Sequence, residues 1–201
     1  GMTTNRGGRR PANGEKRVEA NPAAMDADAT LADFPDNAAI EVRSRFRTSL
    51  RLVASTVALV TAAHDGRRGG LTATAACSLS VDPPLMLVCV NRRSHTHGFM
   101  RESERFCINY LGVQHRELAQ LFSLQLQDTD AKFALGAWGT SRFGNPILID
   151  SLTTIECSVH RRVDEGTHSI FVGRVLDVTA RHECEPLVYV QGGFAGLTPG
   201  D

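Results

Sequence analysis

Small and hydroxyl-bearing residues dominate one stretch of the chain, and an unbroken apolar run follows it. The first stretch, 69–80, reads GGLTATAACSLS, and the apolar run, 85–90, reads LMLVCV. Between them stands Asp82-Pro83-Pro84. Because proline fixes φ and lacks an N–H, this segment can continue neither a helix nor a central strand. The pattern therefore predicts a strand of small residues, a turn, and a second, buried strand.

Apolar spacing predicts helices and further strands around this pair. Val42, Phe46, Leu50 and Val53 recur at helical intervals, which favours a helix over 38–53. The other predicted elements are helices over 94–102 and 114–124, strands over 56–63, 105–111, 155–163, 169–178 and 187–190, and a loop over 125–138.

Two turns are predicted between the strands. The segment 64–70 reads HDGRRGG and is predicted as a hairpin loop, because the pair Asp65-Gly66 is a strong hairpin signal. The segment 164–167 reads DEGT and predicts a second turn, between the last two long strands.

Charge and hydropathy exclude several classes of partner. Lysine plus arginine number 22, as do aspartate plus glutamate, so the formal net charge is zero. This balance gives no basic footprint for nucleic acid or an anionic membrane. No apolar run approaches the roughly 20 residues that span a bilayer, and the N-terminus lacks the apolar centre of a signal peptide. We expect a soluble, cytoplasmic protein with no nucleic-acid and no membrane partner.

The N-terminal 36 residues differ from the rest of the chain. They are rich in Gly, Ala, Asn, Asp and Arg and poor in large apolar residues. Such a segment cannot bury enough surface to offset its ordering entropy. We predict a flexible tail over 1–36, with packing on a partner subunit as the alternative, and one domain over 37–201. Gly1 ahead of Met2 resembles the scar of an expression tag.

Cysteine and histidine spacing predicts neither a disulfide framework nor a metal site. The cysteines are odd in number, widely spaced and without a C-x-x-C pair. Cys77 lies in the small-residue stretch without a base beside it, so we expect a structural role there. His95 and His97 without a third ligand do not make a zinc site. The five cysteines are Cys77, Cys89, Cys107, Cys157 and Cys184.

The segment after the apolar strand suits a phosphate. Residues 91–96 read NRRSHT and place two arginines and two hydroxyls where a helix is predicted to begin. The small side chains of 69–80 would let a flat ligand lie against the backbone. Close packing and solvated arginines are the alternatives. Ser94 is also a candidate N-cap, which would compete with a phosphate for the same N–H groups.

The ordered series of motifs resembles the flavin reductase family, the small NAD(P)H:flavin oxidoreductases that supply reduced flavin to two-component monooxygenases. The likeness begins with GLTATAACSLSVDPPLMLVCVNRRSHT at 70–96. It continues in RFCINYL at 105–111, KF at 132–133, GTHSIFVGRV at 166–175 and PLVY at 186–189. The resemblance implies a mainly β fold with flanking helices, an FMN-binding split β-barrel of Greek-key type. It also implies FMN or FAD, NADH or NADPH as co-substrate, and a homodimer.

The resemblance implies a flavin site assembled from these motifs. Leu121 and Phe122 are expected near the flavin, with plain core packing as the alternative. Lys132 is expected to bond the flavin or its phosphate, with a solvated lysine as the alternative. The flavin-binding residues implied are Leu71, Thr72, Thr74, Ala75, Ala76, Cys77, Cys89, Val90, Asn91, Ser94, His95, Thr96, Leu121, Phe122, Lys132 and Phe133.

The resemblance also places a nicotinamide site at the mouth of the flavin site. His168 is expected to be the catalytic residue that helps to hold the hydride-transfer geometry, with Gly166 and Ser169 beside it. An ordinary surface histidine is the alternative. Two segments depart from the family pattern. The family often has Pro-Thr-Gly-Val where 54–57 reads ASTV, and a basic, tyrosine-containing segment where 191–194 reads QGGF.

The predicted chemistry needs few reactive side chains. The cofactors carry a hydride transfer, and the protein supplies position and electrostatics. The chain has no G-x-G-x-x-G after a strand and no G-x-S-x-G elbow. We predict an NAD(P)H-dependent flavin reductase of EC 1.5.1 type that supplies a partner monooxygenase. The alternatives are a split-barrel enzyme with tightly held flavin acting on another small molecule, and a non-catalytic flavin-binding module.

Overall fold

The computed structural model describes residues 35–181 and 184–197. The chain divides into two compact units, Gly1–Ser44 and Arg45–Asp201. The predicted flexible tail, 1–36, lies outside the described residues except for its last two positions, so it stays a prediction.

Helices form where apolar spacing or a capping residue predicts them. In the described chain, α1 spans Asp36–Leu50, α2 spans His95–Ser103 and α3 spans Arg116–Ser123. A 3-10 turn over Val113–His115 leads into α3, and a second 3-10 helix, Asp130–Ala134, forms within the predicted loop over 125–138. None of these helices is long and apolar enough to cross a membrane.

The apolar stripe predicted for α1 faces outward. Phe46 is 64% exposed and Leu50 is 53% exposed, and Val53, just beyond the helix, is also exposed. The helix therefore forms where the spacing predicts it, but these three side chains are not part of the buried core of the second unit.

Antiparallel strands make up most of the second unit. Period-two burial marks β5, in which half-buried and buried residues alternate along its whole length. The described strands are β1 Ser55–Thr56, β2 Ala58–His64, β3 Arg67–Ala73, β4 Ala76–Ser80, β5 Leu85–Asn91, β6 Arg105–Tyr110, β7 Trp138–Thr140, β8 Pro146–Leu148, β9 Thr153–Glu165, β10 His168–Ala180, β11 Leu187–Val190 and β12 Gly193–Gly196.

Seven of these strands form one sheet, in the order β3-β2-β6-β9-β10-β5-β4. Every neighbouring pair is antiparallel. β3 stands at one end of this order, yet it also contacts β5 near the other end, so the sheet curls and its ends approach each other. β1-β11-β12 and β7-β8 form smaller sheets. The predicted class, mainly β with flanking helices, is confirmed.

The turn between β2 and β3 is tighter than the sequence suggests. His64 pairs with Arg67, so Asp65 and Gly66 alone form the turn, with φ of 49° and 70°. Two positive φ values are what a two-residue type I′ hairpin needs. The predicted loop over 64–70 was therefore wrong in length, because pairing with β2 draws its last four residues into β3.

Two apolar clusters flank the curled sheet. One packs α2 against the sheet through Phe99 and Met100, and the other packs α3 through Leu118 and Phe122. Gly70 of β3 makes the second contact possible, because a Cβ there would lie 2.5 Å from Phe122 Cε1. The clusters therefore hold both helices close to β3.

The predicted strands over 56–63 and 69–80 are each divided in two, into β1 and β2 and into β3 and β4, and three further short strands escaped prediction. β7 and β8 have three residues each, too few to show a period-two pattern. β12 begins and ends in glycine, which weakens any strand signal.

The turn between β9 and β10 contains only Gly166 and Thr167, because the pairing of His168 with Glu165 extends both strands further than predicted.

Candidate active site

A cavity of about 340 Å³ lies where β3 and β5 approach each other, and the end of α3 with the segment after it closes the other side. It brings together four parts of the chain that are distant in sequence. The predicted site residues that line it are Leu71, Thr72, Thr74, Ala75, Cys89, Asn91, Ser94, His95, Thr96, Phe122, Lys132 and His168.

Short side chains at the end of β3 form one wall of the cavity. Thr72 Oγ1 donates to the carbonyl of Ala119 on α3 at 2.6 Å, which ties the strand to the helix. Thr74 and Ala75 then leave the strand, and the Ala75 carbonyl accepts from the Cys89 N–H at 2.9 Å. Because this wall carries only methyl groups and short hydroxyls, a planar ligand can approach its backbone closely.

The second wall ends in the N-terminus of α2. Ser94 caps this helix, since its Oγ accepts from the His97 N–H at 3.1 Å and donates to the Asn91 carbonyl at 2.8 Å. The amides of His95 and Thr96 have no acceptor within the helix, because the first turn of a helix lacks them. The cap therefore takes one N–H group and leaves others for an anion, so capping and anion binding are compatible here.

Lys132 supports the opposite wall from below. It is only 6% exposed, and its Nζ donates to the carbonyls of Leu124 at 2.5 Å, Phe122 at 3.3 Å and Gly70 at 3.4 Å. Burial lowers the pKa of this ammonium below its usual value. The alternative of a solvated lysine is wrong, because three backbone carbonyls replace water around Nζ. Contact between Lys132 and a flavin stays a prediction.

His168 stands at the rim of the cavity. It is exposed and opens β10, where its backbone pairs with Asn91 of β5 and with Glu165 of β9. Its Nδ1 lies 2.8 Å from Thr167 Oγ1. That contact orients the imidazole and leaves Nε2 for a ligand.

A polar network that is buried at His97 and Ser169 and exposed at Asp164 and Arg162 lies beside this rim. His97 Nε2 is 2.7 Å from Ser169 Oγ, and Ser169 Oγ donates to Asp164 Oδ1 at 2.6 Å. Arg162 Nε pairs with the same carboxylate oxygen at 3.2 Å. The network joins α2 to the β9–β10 hairpin that carries His168. His97 is therefore hydrogen-bonded within the protein, whereas the side chain of His95 faces solvent.

Three predicted flavin-site residues on β4 and β5 lie outside the cavity lining. Ala76 and Cys77 belong to β4, where pairing with Val88 and Leu87 carries them away from the cavity. Val90 is fully buried in the core, because alternation along β5 sends it to the face opposite Cys89 and Asn91.

The other predicted residues outside the lining serve neighbouring structure. Leu121 and Phe133 pack in the apolar cluster of α3, so the core alternative given for Leu121 describes its surroundings. Gly166 lies in the β9–β10 turn and has a φ of 53°. Ser169 is fully buried in the polar network described above.

Sequence reasoning missed the segment that follows α3. Residues 124–127 read LQLQ, and this alternation was the available signal for an extended wall with one face toward a ligand. Glycine and alanine of β3 were also missed, because they carry no functional group. The additional lining residues are Gly70, Ala73, Ser123, Leu124, Gln125, Leu126, Gln127 and Thr129.

Burial makes two thiols, Cys89 and Cys157, poor nucleophiles. Burial raises the pKa of the Cys89 thiol, which lines the cavity, and raises the pKa of the buried Cys157 to about 12. Cys77 is exposed on β4. Over the described residues, no three His, Cys, Asp or Glu side chains group to hold a metal ion.

The lining of the cavity suits a planar ligand that carries a phosphate, and its volume of about 340 Å³ lies within the usual range for small molecules. A volume of roughly 300–1,000 Å³ is typical of small-molecule sites. The wall of short side chains from β3, with Phe122 and Leu126 beside it, suits a flat ring system, and the free amides of α2 suit a phosphate. His168 is at the open edge, where a second, transient ligand would enter.

Comparison with known proteins agrees with this geometry. The model of the flavin reductase like domain matches residues 50–198. The chain is 35% identical over 168 residues to FMN reductase (NADH) RutF 1 of Methylorubrum extorquens. The aligned residues make up 83% of this chain and 83% of the relative.

Two solved structures extend the comparison. BorF, the flavin reductase component of a bacterial two-component tryptophan halogenase, superposes with a TM-score of 0.72 at 31% identity, over 79% of this chain and 99% of that one. The flavin reductase HpaC, solved with NADP+, superposes with a TM-score of 0.70 at 30% identity, over 77% of this chain and 97% of that one.

This chain belongs to the flavin reductase-like domain family. Its curled antiparallel sheet with flanking helices is the split-barrel fold of flavin reductases, which confirms the fold inferred from the motifs.

Proposed function

We propose that this protein is a flavin reductase, which uses NADH to reduce FMN and releases the reduced flavin to a partner monooxygenase. One observation carries the proposal. The small-residue end of β3, the capped N-terminus of α2 and His168 meet on a single cavity, although they lie far apart along the chain. To bind a flavin and a nicotinamide side by side, a protein needs an apolar slot, an anion site and a polar group at the rim, and this cavity has all three.

A bound flavin would supply the acceptor for a hydride from the reduced nicotinamide, and this chemistry belongs to the cofactors rather than to the protein. The chain holds the reactants. Thr74 and Ala75 would lie against the ring system, and the amides of His95 and Thr96 would hold the phosphate. His168 would contact the nicotinamide edge and keep the reacting atoms within reach, so proximity would be the main source of acceleration.

The choice of reactants follows the relatives. The Methylorubrum protein is named an FMN reductase that uses NADH, which favours FMN and NADH over FAD and NADPH and fits an EC 1.5.1 assignment. BorF is the reductase component of a two-component system, which supports an oxygenase-type partner for this chain. Location in the cytoplasm stays a prediction.

We also propose a homodimer. Its support is the exposed apolar surface formed by Phe46, Leu50, Leu52 and Val53, each more than half exposed, because a second copy would remove these side chains from water. Light scattering of the full chain, compared with a Phe46→Ser/Leu50→Ser variant, tests this proposal. A dimeric mass that the variant lowers toward the monomer is expected, and a monomeric wild type contradicts it.

Flavin release distinguishes the proposed function from its alternatives. The protein is loaded with FMN, treated anaerobically with NADH and passed through a desalting column. A released reduced flavin supports a reductase that supplies a partner. Reduced flavin retained on the protein supports an enzyme that holds its cofactor. Flavin that binds and stays oxidised supports a non-catalytic binding module.

A further inference from the structure

The segment that follows α3 lines the main cavity on one side and faces solvent on the other. It comprises residues 124–131 and begins directly after the last residue of the helix. Leu124, Gln125 and Gln127 are exposed and also line the cavity. The segment therefore stands between a ligand in the cavity and the surrounding water.

One ammonium group closes the base of this segment. Lys132 Nζ donates to the carbonyl of Leu124, where the segment begins, at 2.5 Å, and to the carbonyl of Gly70 on β3 at 3.4 Å. The two ends of the segment are therefore joined, as in the compact surface loops whose ends lie close together. The joined base confines any opening movement to the residues between the ends.

Few hydrogen bonds hold the residues between these ends. Within the described chain, residues 125–127 make no hydrogen bond to another part of the protein, and the Asp128 carboxylate accepts only from the N–H of Asp130, at 3.0 Å. Segments with few bonds and exposed backbone open locally at a small cost in free energy. The middle of the segment is therefore free to move unless another contact restrains it.

One ion pair supplies that restraint and ties the segment to β3. Arg68 Nε lies 2.5 Å from Asp130 Oδ1, and the guanidinium carbon of Arg68 lies 4.4 Å from the centroid of the Phe133 ring. Because Phe133 is buried in the apolar cluster of α3, it gives the guanidinium a fixed support. The hydrogen bond from Arg68 lowers the pKa of the Asp130 carboxyl below its usual value, so the pair is ionised at neutral pH.

This ion pair is suited to break and form again. The side chain of Arg68 is 37% exposed and that of Asp130 is 67% exposed. Water and salt screen such a pair, so it contributes little to the stability of the whole fold. Its effect falls instead on the position of the segment that carries Asp130.

We propose that residues 124–131 are a lid over the flavin cavity and that the ion pair of Arg68 with Asp130 is the latch that holds the lid closed. Flavin enters and leaves while the latch is broken, so the latch sets both rates. A reductase that hands its reduced flavin to a partner needs this passage in every turnover. The inference rests on the proposed function, which supplies flavin as the ligand.

Exchange of oxidised FMN with the full chain tests the latch without NADH. Asp130→Asn removes the carboxylate charge with little change of shape, and Arg68→Met keeps an unbranched apolar stem over Phe133. Glu102→Gln is the matched control, because it makes the same change from acid to amide in another exposed ion pair, with Arg101 at 3.2 Å, outside the cavity lining. Stopped-flow measurement of FMN fluorescence gives the association and dissociation rate constants of each protein.

We expect Asp130→Asn to raise both rate constants by about two- to fivefold, the range that loss of an exposed ion pair implies. The dissociation constant should change by less than about twofold, because the latch does not touch the ligand. The double variant Arg68→Met/Asp130→Asn should match the single variant, since both remove one contact. High salt should reduce the difference between wild type and Asp130→Asn, because it screens the pair.

Hydrogen exchange measures the lid without flavin. Amides of 124–131 should exchange about two- to fivefold faster in Asp130→Asn than in wild type or Glu102→Gln, because the variant opens more often. Equal exchange in all three proteins overturns the latch.

Three results of the FMN experiment would also overturn the proposal. They are equal rate constants in wild type and Asp130→Asn, a rise in the dissociation rate constant alone, and the same changes in Glu102→Gln. A wild type that binds no FMN overturns it as well. Failure of wild type to oxidise NADH rejects the proposed function alone, because the FMN rate constants still decide whether the lid exists.

Discussion

His97 Nε2 lies 2.7 Å from Ser169 Oγ, in the narrow space between α2 and β10. Ser169 donates its one hydroxyl proton to Asp164 Oδ1. It must therefore accept a hydrogen bond from His97, whose Nε2 carries the proton. The contact links the helix that offers amides to an anion with the hairpin that carries His168. Both sides of the candidate active site are therefore held by one buried hydrogen bond.

Stability is expected to fall in mild acid because of His97. Burial, and after it Arg162, Arg101 and Arg92, lower the pKa of His97 in the folded protein below its ordinary 6.5. The unfolded chain then binds the proton more readily. The stability that the neutral His97 side chain contributes to the folded protein is full above pH 6.5. It is lost progressively as the pH falls through the folded pKa.

Thermal melting as a function of pH measures this effect. A His97→Gln variant keeps a neutral donor for Ser169 and does not titrate, so its melting temperature should fall less than that of wild type between about pH 7 and pH 5. Asp164 does not confuse the comparison, since its pKa is lowered from 3.8 and its own contribution is lost in stronger acid. Parallel curves for the two proteins would contradict the assignment.

Replacing Lys132 by methionine should destabilise the fold and weaken flavin binding together. The substitution leaves the carbonyls of Phe122 and Leu124 without their donor, at a cost of about 1–3 kcal/mol. The wall formed by residues 123–127 would loosen as a result. Urea unfolding and FMN titration measure the two effects. Gln125→Met changes the same wall but leaves Nζ in place, so loss of stability confined to Lys132→Met is the expected pattern.

Gly70→Ala should be destabilising by about 1–3 kcal/mol, because the added Cβ would lie 2.5 Å from Phe122 Cε1 in a packed core. Gly98→Ala is the matched control. It adds the same methyl group in α2, where nothing lies within 4 Å, and it should stabilise the helix by roughly 0.5–1 kcal/mol. Chemical denaturation of both variants checks the opposite signs, and equal effects would refute the packing argument.

His168→Asn should slow turnover while leaving flavin binding intact. The imidazole stands at the rim and contacts Thr167 rather than the cavity floor, so its loss should disturb the nicotinamide and not the flavin. We expect kcat/KM for NADH to fall by about tenfold to a hundredfold, as a misplaced reactant implies. Steady-state kinetics and FMN titration separate the two effects. A loss of FMN affinity with unchanged kcat would assign His168 to the flavin instead.

The sequence predicted the regular elements well because their signals are local. Ser94 is the clearest case, since a serine before a helical segment predicts the N-cap, and its hydroxyl occupies that position. The period-two rule would also have separated Cys89 and Asn91, which line the cavity, from Val90, which faces the core.

Features that depend on tertiary contacts were out of reach. Lys132 reads as a solvated or ligand-bound residue because nothing local reveals the three carbonyls that surround it. At Asp65-Gly66 the local signal marked the turn itself, but the start of β3 at Arg67 depended on pairing with β2.

The most direct test of the central claim is NADH oxidation by the purified full chain, followed by absorbance with and without added FMN. The proposed reductase predicts little oxidation by the protein alone and many turnovers per protein once free FMN is supplied in excess. Oxidation that fails with FMN, FAD and either nicotinamide, in a protein that still binds flavin, would contradict it and leave the cavity as a binding site of another kind.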